Sequence, residues 1–208
     1  MYIPRHFEQP SVVLMQECMA ANPLATLVTL TPDGLCADHI PMRLRPELHP
    51  YGTLTGHVAR ANPVWHLADG REVLVIFRGP DAYITPSWYA SKSTSGKVVP
   101  TWNYTAVHAY GTLRAIQDVE WLKTHVTELT DHHEASFANP WSVSDAPTDF
   151  TEKLLHGIVG IEIAISRLQG KWKLSQNRPD EDRAGVVAGL RALGADAMAE
   201  LVANRSDE

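Results

Sequence analysis

Cysteine is scarce in this chain. Cys18 and Cys36 are the only two among 208 residues, too few for a disulfide scaffold and in keeping with a reducing compartment where both stay thiols. The cytoplasm is the expected location. Positive charge is also short: 18 Lys and Arg face 24 Asp and Glu, a formal net charge of -6. That balance argues against a broad phosphate-binding surface, because nonspecific nucleic-acid affinity comes mainly from Lys and Arg replacing counterions. No apolar run approaches the ~20 residues of a membrane span, and the opening MYIPRHFEQP has neither the apolar stretch nor the cleavage site of a signal peptide. The expectation is a protein that does not act in a membrane. P-loop, GxGxxG, nucleophile-elbow and HExxH patterns are all missing, which weakens NTPase, Rossmann dehydrogenase, hydrolase and zinc-protease readings. Internal repeats and low-complexity tracts are missing too.

Apolar residues make up 44% of the chain and charged residues 20%, enough to build a sizeable core without staples. The pattern reads as one domain over 1–208 with a helical extension from about 180. Pro10 suits a first helical position, so a short helix is expected over 10–21. LATLVTL at 24–30, the turn signal Pro32-Asp33-Gly34 and LCADHIPM at 35–42 read as an antiparallel hairpin. Further strands are expected at 51–58, 72–77, 81–85, 103–116 and 157–165. Asp118 looks like a cap for a helix whose Val119, Leu122, Val126 and Leu129 share a face. Residues 138–149 read as a long surface loop, and Val186, Leu190, Leu193, Met198, Leu201 and Val202 mark helical structure near the C-terminus. Several short strands with peripheral helices imply a mainly β, α+β architecture built on an antiparallel barrel.

Three stretches could carry chemistry. In GHVARANPVW at 56–65 a strand ends, Asn62 can cap a helix and Pro63 fits its start, next to Arg60. Such a place can hold a phosphate monoester, or Arg60 can simply pair with a carboxylate. PSWYASK at 86–92 and VPTWNY at 99–104 gather Trp88, Tyr89, Trp102 and Tyr104 around Ser91, Lys92 and Asn103. They suit a planar heteroaromatic ligand, or equally a core or a subunit interface. KWKLSQNR at 171–178 concentrates Lys171, Lys173 and Arg178 beside Ser175, Gln176 and Asn177, either for ligand contact or as a solvated basic turn. His125, His132 and His133 lie on one expected helix without metal-ligand spacing, and a solvated surface accounts for them better than zinc.

Taken with MYIPRHF at 1–7, HIPM at 39–42 and FRGPDAYITPSWY at 77–89, these blocks resemble the PaiB-type FMN-binding negative transcriptional regulators. The resemblance runs from the first residues to beyond residue 178. It implies an FMN-binding split β-barrel, related to pyridoxamine phosphate oxidases and flavin reductases, in which a homodimer holds FMN at its subunit interface. It implies that Arg60 and Asn62 form the phosphate-binding element, with Ala59 and Ala61 in place of two polar members of the oxidases' clamp and Lys92 or Lys173 available to compensate. His39, Ile40, Met42 and His57 would lie along the flavin, with Trp102, Asn103, Tyr104, Lys173, Ser175 and Gln176 approaching from the partner subunit.

The family name implies a regulator whose flavin occupancy or redox state shifts it between partner-binding states. The acidic charge and the lack of a helix-turn-helix pattern argue against direct DNA contact, so an indirect role is expected. The alternative is an FMN-dependent oxidoreductase, a flavin reductase or a haem-degrading oxygenase-like protein. A third reading, an interaction module that has lost the cofactor, rests on the two alanines flanking Arg60.

Overall fold

The computed structural model describes residues 1–204; the end of the expected helical extension, 205–208, lies outside them. Ser11 rather than Pro10 marks the first helix. Its hydroxyl accepts from Leu14 N at 3.3 Å, and α1 covers Val12–Ala21 after a two-residue strand β1, Glu8–Gln9. The expected hairpin forms from β2, Leu24–Thr31, and β3, Gly34–Pro41, in a register that pairs Thr31 with Gly34 across the Pro32-Asp33 turn. A three-residue strand β4, Arg43–Arg45, was not legible in the pattern; it pairs antiparallel with β5, Thr53–Ala59. A single turn of helix, α2 at Val64–Leu67, leads to β6, Glu72–Ile84. The two strands expected at 72–77 and 81–85 are thus one.

Next come α3, Ser91–Ser95; β7, Thr101–Ile116; and α4, Val119–Glu134. Asp118 caps α4 as expected, accepting from Trp121 N at 2.7 Å. The expected loop over 138–149 gives way to α5, Thr148–His156, and the chain returns through β8, Ile158–Lys173. Helices α6, Asp180–Ala192, and α7, Asp196–Ala203, follow.

The strands form one eight-stranded sheet in the order β3-β2-β6-β7-β8-β5-β4, with β1 added beside β8. The path is open, with β3 and β4 at its ends, and every pairing with a defined register is antiparallel. The expected architecture of mainly β structure with peripheral helices is therefore what the chain adopts.

Two compact units divide the chain, and β6, β7 and β8 each run from one into the other. The first consists, among the described residues, of 1–21, 78–107 and 169–204. Its core gathers Ile84, Tyr89 and Leu174 with Val186, Leu190, Met198, Ala199 and Val202 of the last two helices. The C-terminal helices thus supply core rather than decoration. Leu193 is 73% exposed at the end of α6.

The second unit consists of 22–77 and 108–168. Alternation along β2 sends Ala25, Leu27 and Thr29 inward, with Ile40 of β3 and Val73, Val75 and Phe77 of β6 also buried. Arg43 and Arg45 of β4 both donate to the Glu128 carboxylate on α4. Although β3 and β5 share no ladder, their ends converge: a Cβ on Gly56 would come within 2.9 Å of Met42 Sδ and 3.1 Å of the Pro41 carbonyl. A side chain there would have to displace Met42 and press on the Pro41 carbonyl, so glycine suits the approach.

Candidate functional site

Where β3 meets β5 in the second unit, a cleft of about 200 Å³ opens. It is lined by Asp38, His39, Ile40 and Pro41 on one strand and His57, Val58 and Ala59 on the other, with Asn62 beyond. The local chain course follows from a tight turn after β5. Asn62 N donates to the Ala59 carbonyl at 2.9 Å, and Asn62 Oδ1 accepts from Val64 N at 2.9 Å, opening α2. Pro63 rather than Asn62 is the N-cap, so the expected cap is shifted by one residue and Asn62 closes the turn that leads into it. Its Nδ2 also donates to Asp38 Oδ1 at 2.8 Å, which fixes a carboxylate in the cleft wall.

Arg60 is engaged differently from the expectation. Its Nε donates to the His156 carbonyl at 2.7 Å, one terminal nitrogen to Gln117 Oε1 at 2.8 Å and the other to the Ile158 carbonyl at 3.0 Å. The side chain ties the end of α5 to the start of β8 and does not line the cleft. With Arg60 so placed, a carboxylate from Asp38 and a helix of only four residues, the 59–65 turn does not make the anticipated anion site. What the cleft offers instead are apolar walls from Ile40, Pro41, Val58 and Ala59 and polar groups from Asp38, His57 and Asn62. That donor set fits a planar heteroaromatic ring with hydrogen-bonding edges and disfavours a phosphate.

His57 does not stand alone. Its Nδ1 lies 3.2 Å from Nε2 of His125 on α4, and His125 is 2% exposed. Trp121 stacks on the His125 ring with centroids 5.1 Å apart and planes inclined by 12°. Gly160 of β8 makes room for that indole, since a Cβ there would collide with it. Burial lowers the pKa of His57. It lowers that of His125 to about 4, with further contributions from His57, Arg43 and Arg45. The solvated helix face expected for His125 is therefore corrected: α4 turns Leu122 and His125 inward, and Val119 is exposed.

The first unit contains a second cleft of about 210 Å³. Its lining includes Asn103, Lys173 and Ser175 of the expected residues, together with Tyr89, Thr101 and Arg178. Asn103, fully buried, donates to Ser175 Oγ at 3.0 Å. Ser175 holds a left-handed backbone, φ 62°. Lys173 donates to Thr101 Oγ1, and burial lowers its pKa. The Arg178 guanidinium stands 4.5 Å from the centre of the Tyr89 ring and lowers the pKa of its hydroxyl by charge and hydrogen bonding, against the larger upward effect of burial. Two cations, Lys173 and Arg178, suit an anionic group.

The remaining expected residues lie elsewhere. Met42 is buried under the β3–β5 convergence, and Lys92 is exposed with Nζ on Ser87 Oγ at 3.2 Å. Trp102 is exposed, edge-on to Tyr83. Tyr104 has Lys171 Nζ 5.2 Å above its ring, and Gln176 bonds back to Leu174 N and the Trp172 carbonyl. Tyr89 and Arg178, named in the aromatic and basic stretches, line the second cleft, whereas Asp38 in the β3–β5 cleft and His125 behind His57 were not expected to contact a ligand.

Comparison with known proteins places this architecture. Residues 1–167 match the family described as "Putative FMN-binding domain". The chain belongs to this FMN-binding family. FMN is the cofactor that membership assigns to it, and the PaiB-type resemblance holds. Among curated relatives, the Bacillus subtilis "Protease synthase and sporulation protein PAI 2" is 35% identical over 210 residues, 99% of this chain and 98% of that protein. An uncharacterized protein of Emericella nidulans is 37% identical over 248 residues, 100% of this chain and 98% of its own length. Among solved structures, the FAD and heme binding protein from Mycobacterium smegmatis shares the fold at a TM-score of 0.60 and 17% identity. The match covers 85% of this chain and 78% of that one. The fold of the family member described here is thus the flavin-binding split barrel.

Proposed function

We propose that this chain is a cytoplasmic FMN-binding homodimer whose flavin state governs a regulatory output reached through a partner rather than through direct DNA contact. The observation that carries the cofactor's placement is the β3–β5 cleft, whose apolar walls and hydrogen-bonding groups from Asp38, His57 and Asn62 match an isoalloxazine ring. The expected contacts at His39, Ile40, His57 and Asn62 meet there. The phosphate belongs with Lys173, Ser175 and Asn103 of the facing subunit, where Arg178 adds to the anion-binding set. Bound FMN would supply reversible electron uptake; the chain's residues bind and orient it.

Two features support a second copy as the cover. At about 200 Å³ the cleft is smaller than the roughly 300–1,000 Å³ of a site that encloses a ligand by itself. The outer face of the β3-β2-β6 sheet is apolar as well. Cross-strand partners Leu30 and Leu35 are 65% and 80% exposed, with Leu24, Val28, Ala37, Leu74 and Ile76 on the same side. A solvated antiparallel face ordinarily alternates to polar residues, so this one is built to be covered. His39, which lines the cleft, stands on that face opposite Thr26.

Visible absorbance during FMN titration, combined with sedimentation, tests the reading. Expected are a yellow dimer for the wild type and a monomer with weakened FMN binding for Leu35→Lys. A colourless protein indifferent to added FMN would overturn it. A gel shift at physiological salt is expected to show no retardation of DNA, and the oxidoreductase reading gains ground only if NADH or NADPH reduces the bound flavin and an acceptor reoxidises it.

A further inference from the structure

His57 and His125 are separated by 68 residues in sequence and by one hydrogen bond in space, 3.2 Å between Nδ1 and Nε2. One of the two nitrogens carries the shared proton, and the surroundings decide which. If His57 Nδ1 carried it, neutral His125 would have to bear its own proton on Nδ1. Among the described residues nothing accepts from that nitrogen, and His125 is 2% exposed, so the proton would find no acceptor in the protein. If His125 Nε2 carries the proton, its Nδ1 is a bare lone pair, which burial tolerates better. Neutral His57 must then hold its proton on Nε2, the nitrogen not used by His125, and His57 lines the β3–β5 cleft.

The neighbours keep both rings uncharged. Arg43 and Arg45 on β4 oppose a proton on His125, and Glu128 on α4, which could otherwise favour one, already accepts from both guanidiniums. Asp38 and His39 face the cleft from β3. From α4 itself only the Trp121 indole stacks on the ring, and Gly160 lets it do so, so the orientation of His125 is fixed by packing.

We propose that His125 is a positioning residue whose buried Nε2–H fixes His57 as a neutral donor, its Nε2–H presented to a ring acceptor bound in the cleft. With Asp38 as acceptor on the opposite strand, the cleft is complementary to an imide edge, a carbonyl beside an N–H, such as the flavin pyrimidine carries. The inference rests on the placement of FMN given above.

Long-range 1H–15N NMR of the ligand-free protein tests it directly. At pH 8, both histidines are expected as the neutral Nε2–H tautomer. In His125→Phe, which keeps an aromatic ring against Trp121 but removes the donor, His57 is expected to populate both tautomers and to titrate closer to 6.5. FMN affinity at pH 7 should fall about tenfold in that variant, the size expected for one lost hydrogen bond. The acid limb of FMN binding should also move up in pH, while His57→Gln, which preserves a donor, should retain most of the affinity. An Nδ1–H tautomer on His57 in the wild type overturns the proposal without any variant having to fold. So does a His57 tautomer and FMN pH profile unchanged by His125→Phe. Failure of the wild type to bind FMN at any pH, with the NMR result as expected, would instead sink the placement of the cofactor and leave the histidine pair standing.

Discussion

Asn62 joins Asp38 to the first turn of α2: its Nδ2 donates to the Asp38 carboxylate at 2.8 Å while its Oδ1 accepts from Val64 N at 2.9 Å. One amide thus sets both the shape of the cleft wall and the start of a helix, and only a side chain with a donor and an acceptor can do so. Asn62→Ala is expected to cost about 1–2 kcal/mol of stability, the usual cost of losing two hydrogen bonds, and to weaken FMN binding by freeing Asp38. Asn62→Asp separates the two bonds. It keeps the acceptor for Val64 N but sets a carboxylate against Asp38, so its stability should be lower than that of Asn62→Ala at pH 7 and recover toward pH 4. Denaturant unfolding of both variants at the two pH values checks this; equal losses at pH 7 would mean that the contact with Asp38 contributes nothing.

Arg60 yields the opposite expectation from a phosphate ligand. Two of its three bonds go to the backbone carbonyls of His156 and Ile158, at the junction of α5 and β8. Arg60→Ala is therefore expected to lower stability by about 1–3 kcal/mol, because carbonyls and Gln117 lose a charged donor, with FMN affinity falling less than in Lys173→Ala. Arg60→Lys, which keeps the charge but not the three-pronged geometry, should be nearly as destabilised. If Arg60→Lys instead kept full stability while Arg60→Ala lost FMN binding, the guanidinium would belong to the cofactor after all. Thermal unfolding and FMN titration on the same samples separate the two outcomes.

These two residues also show what a pattern can and cannot reveal. The Asp118 cap and the Asn62 turn were legible because such bonds are local, a side chain bonding two or three residues onward. The β2–β3 hairpin was legible because alternation and turn chemistry agree. The continuity of β6 was hidden by Gly79-Pro80, which reads as a break; in the fold Gly79 sits against Thr105 on β7 and the strand passes through. Helix α5 was hidden because Phe150 and Leu154 are exposed and Leu155 alone is buried, leaving no apolar period to detect. The engagement of Arg60 and the pairing of His57 with His125 depend on partners 57 to 98 residues away. No spacing within a motif encodes those.

Ser175 presents a backbone conformation that an L-residue adopts at a cost, φ 62°, while its hydroxyl is the partner of the fully buried Asn103 amide. Backbone and side chain make opposing contributions, and two substitutions tell them apart. Ser175→Ala keeps the strain and orphans Asn103, so a loss of about 1–3 kcal/mol is expected. Ser175→Gly orphans the same amide but relaxes the backbone, recovering on the order of 1 kcal/mol. Glycine is therefore expected to be the milder change even though it removes more atoms. Chemical denaturation with a common slope checks the order, and a reversal would mean that packing around Ser175 outweighs its backbone.

The buried histidine pair makes stability fall in acid. An unfolded chain takes up a proton on His125 near pH 6.5, whereas the folded chain resists until about pH 4 because burial and then the charges of His57, Arg43 and Arg45 oppose it. The folded pKa is the lower one, so the contribution is fully present above pH 6.5 and is lost as pH falls toward 4. The loss expected from His125 over that window is on the order of 3 kcal/mol, with His57, also lowered by burial, adding to it. His125→Phe removes the titration but also the hydrogen bond to His57, so it should be less stable than the wild type at pH 7.5 and draw level with it as pH approaches 4.5. Unfolding free energies of the two proteins at several pH values between 4.5 and 7.5 should converge on acidification. Parallel curves would show that His125 titrates alike in the folded and unfolded chain, and that its burial against Trp121 is looser than the 5.1 Å stack implies.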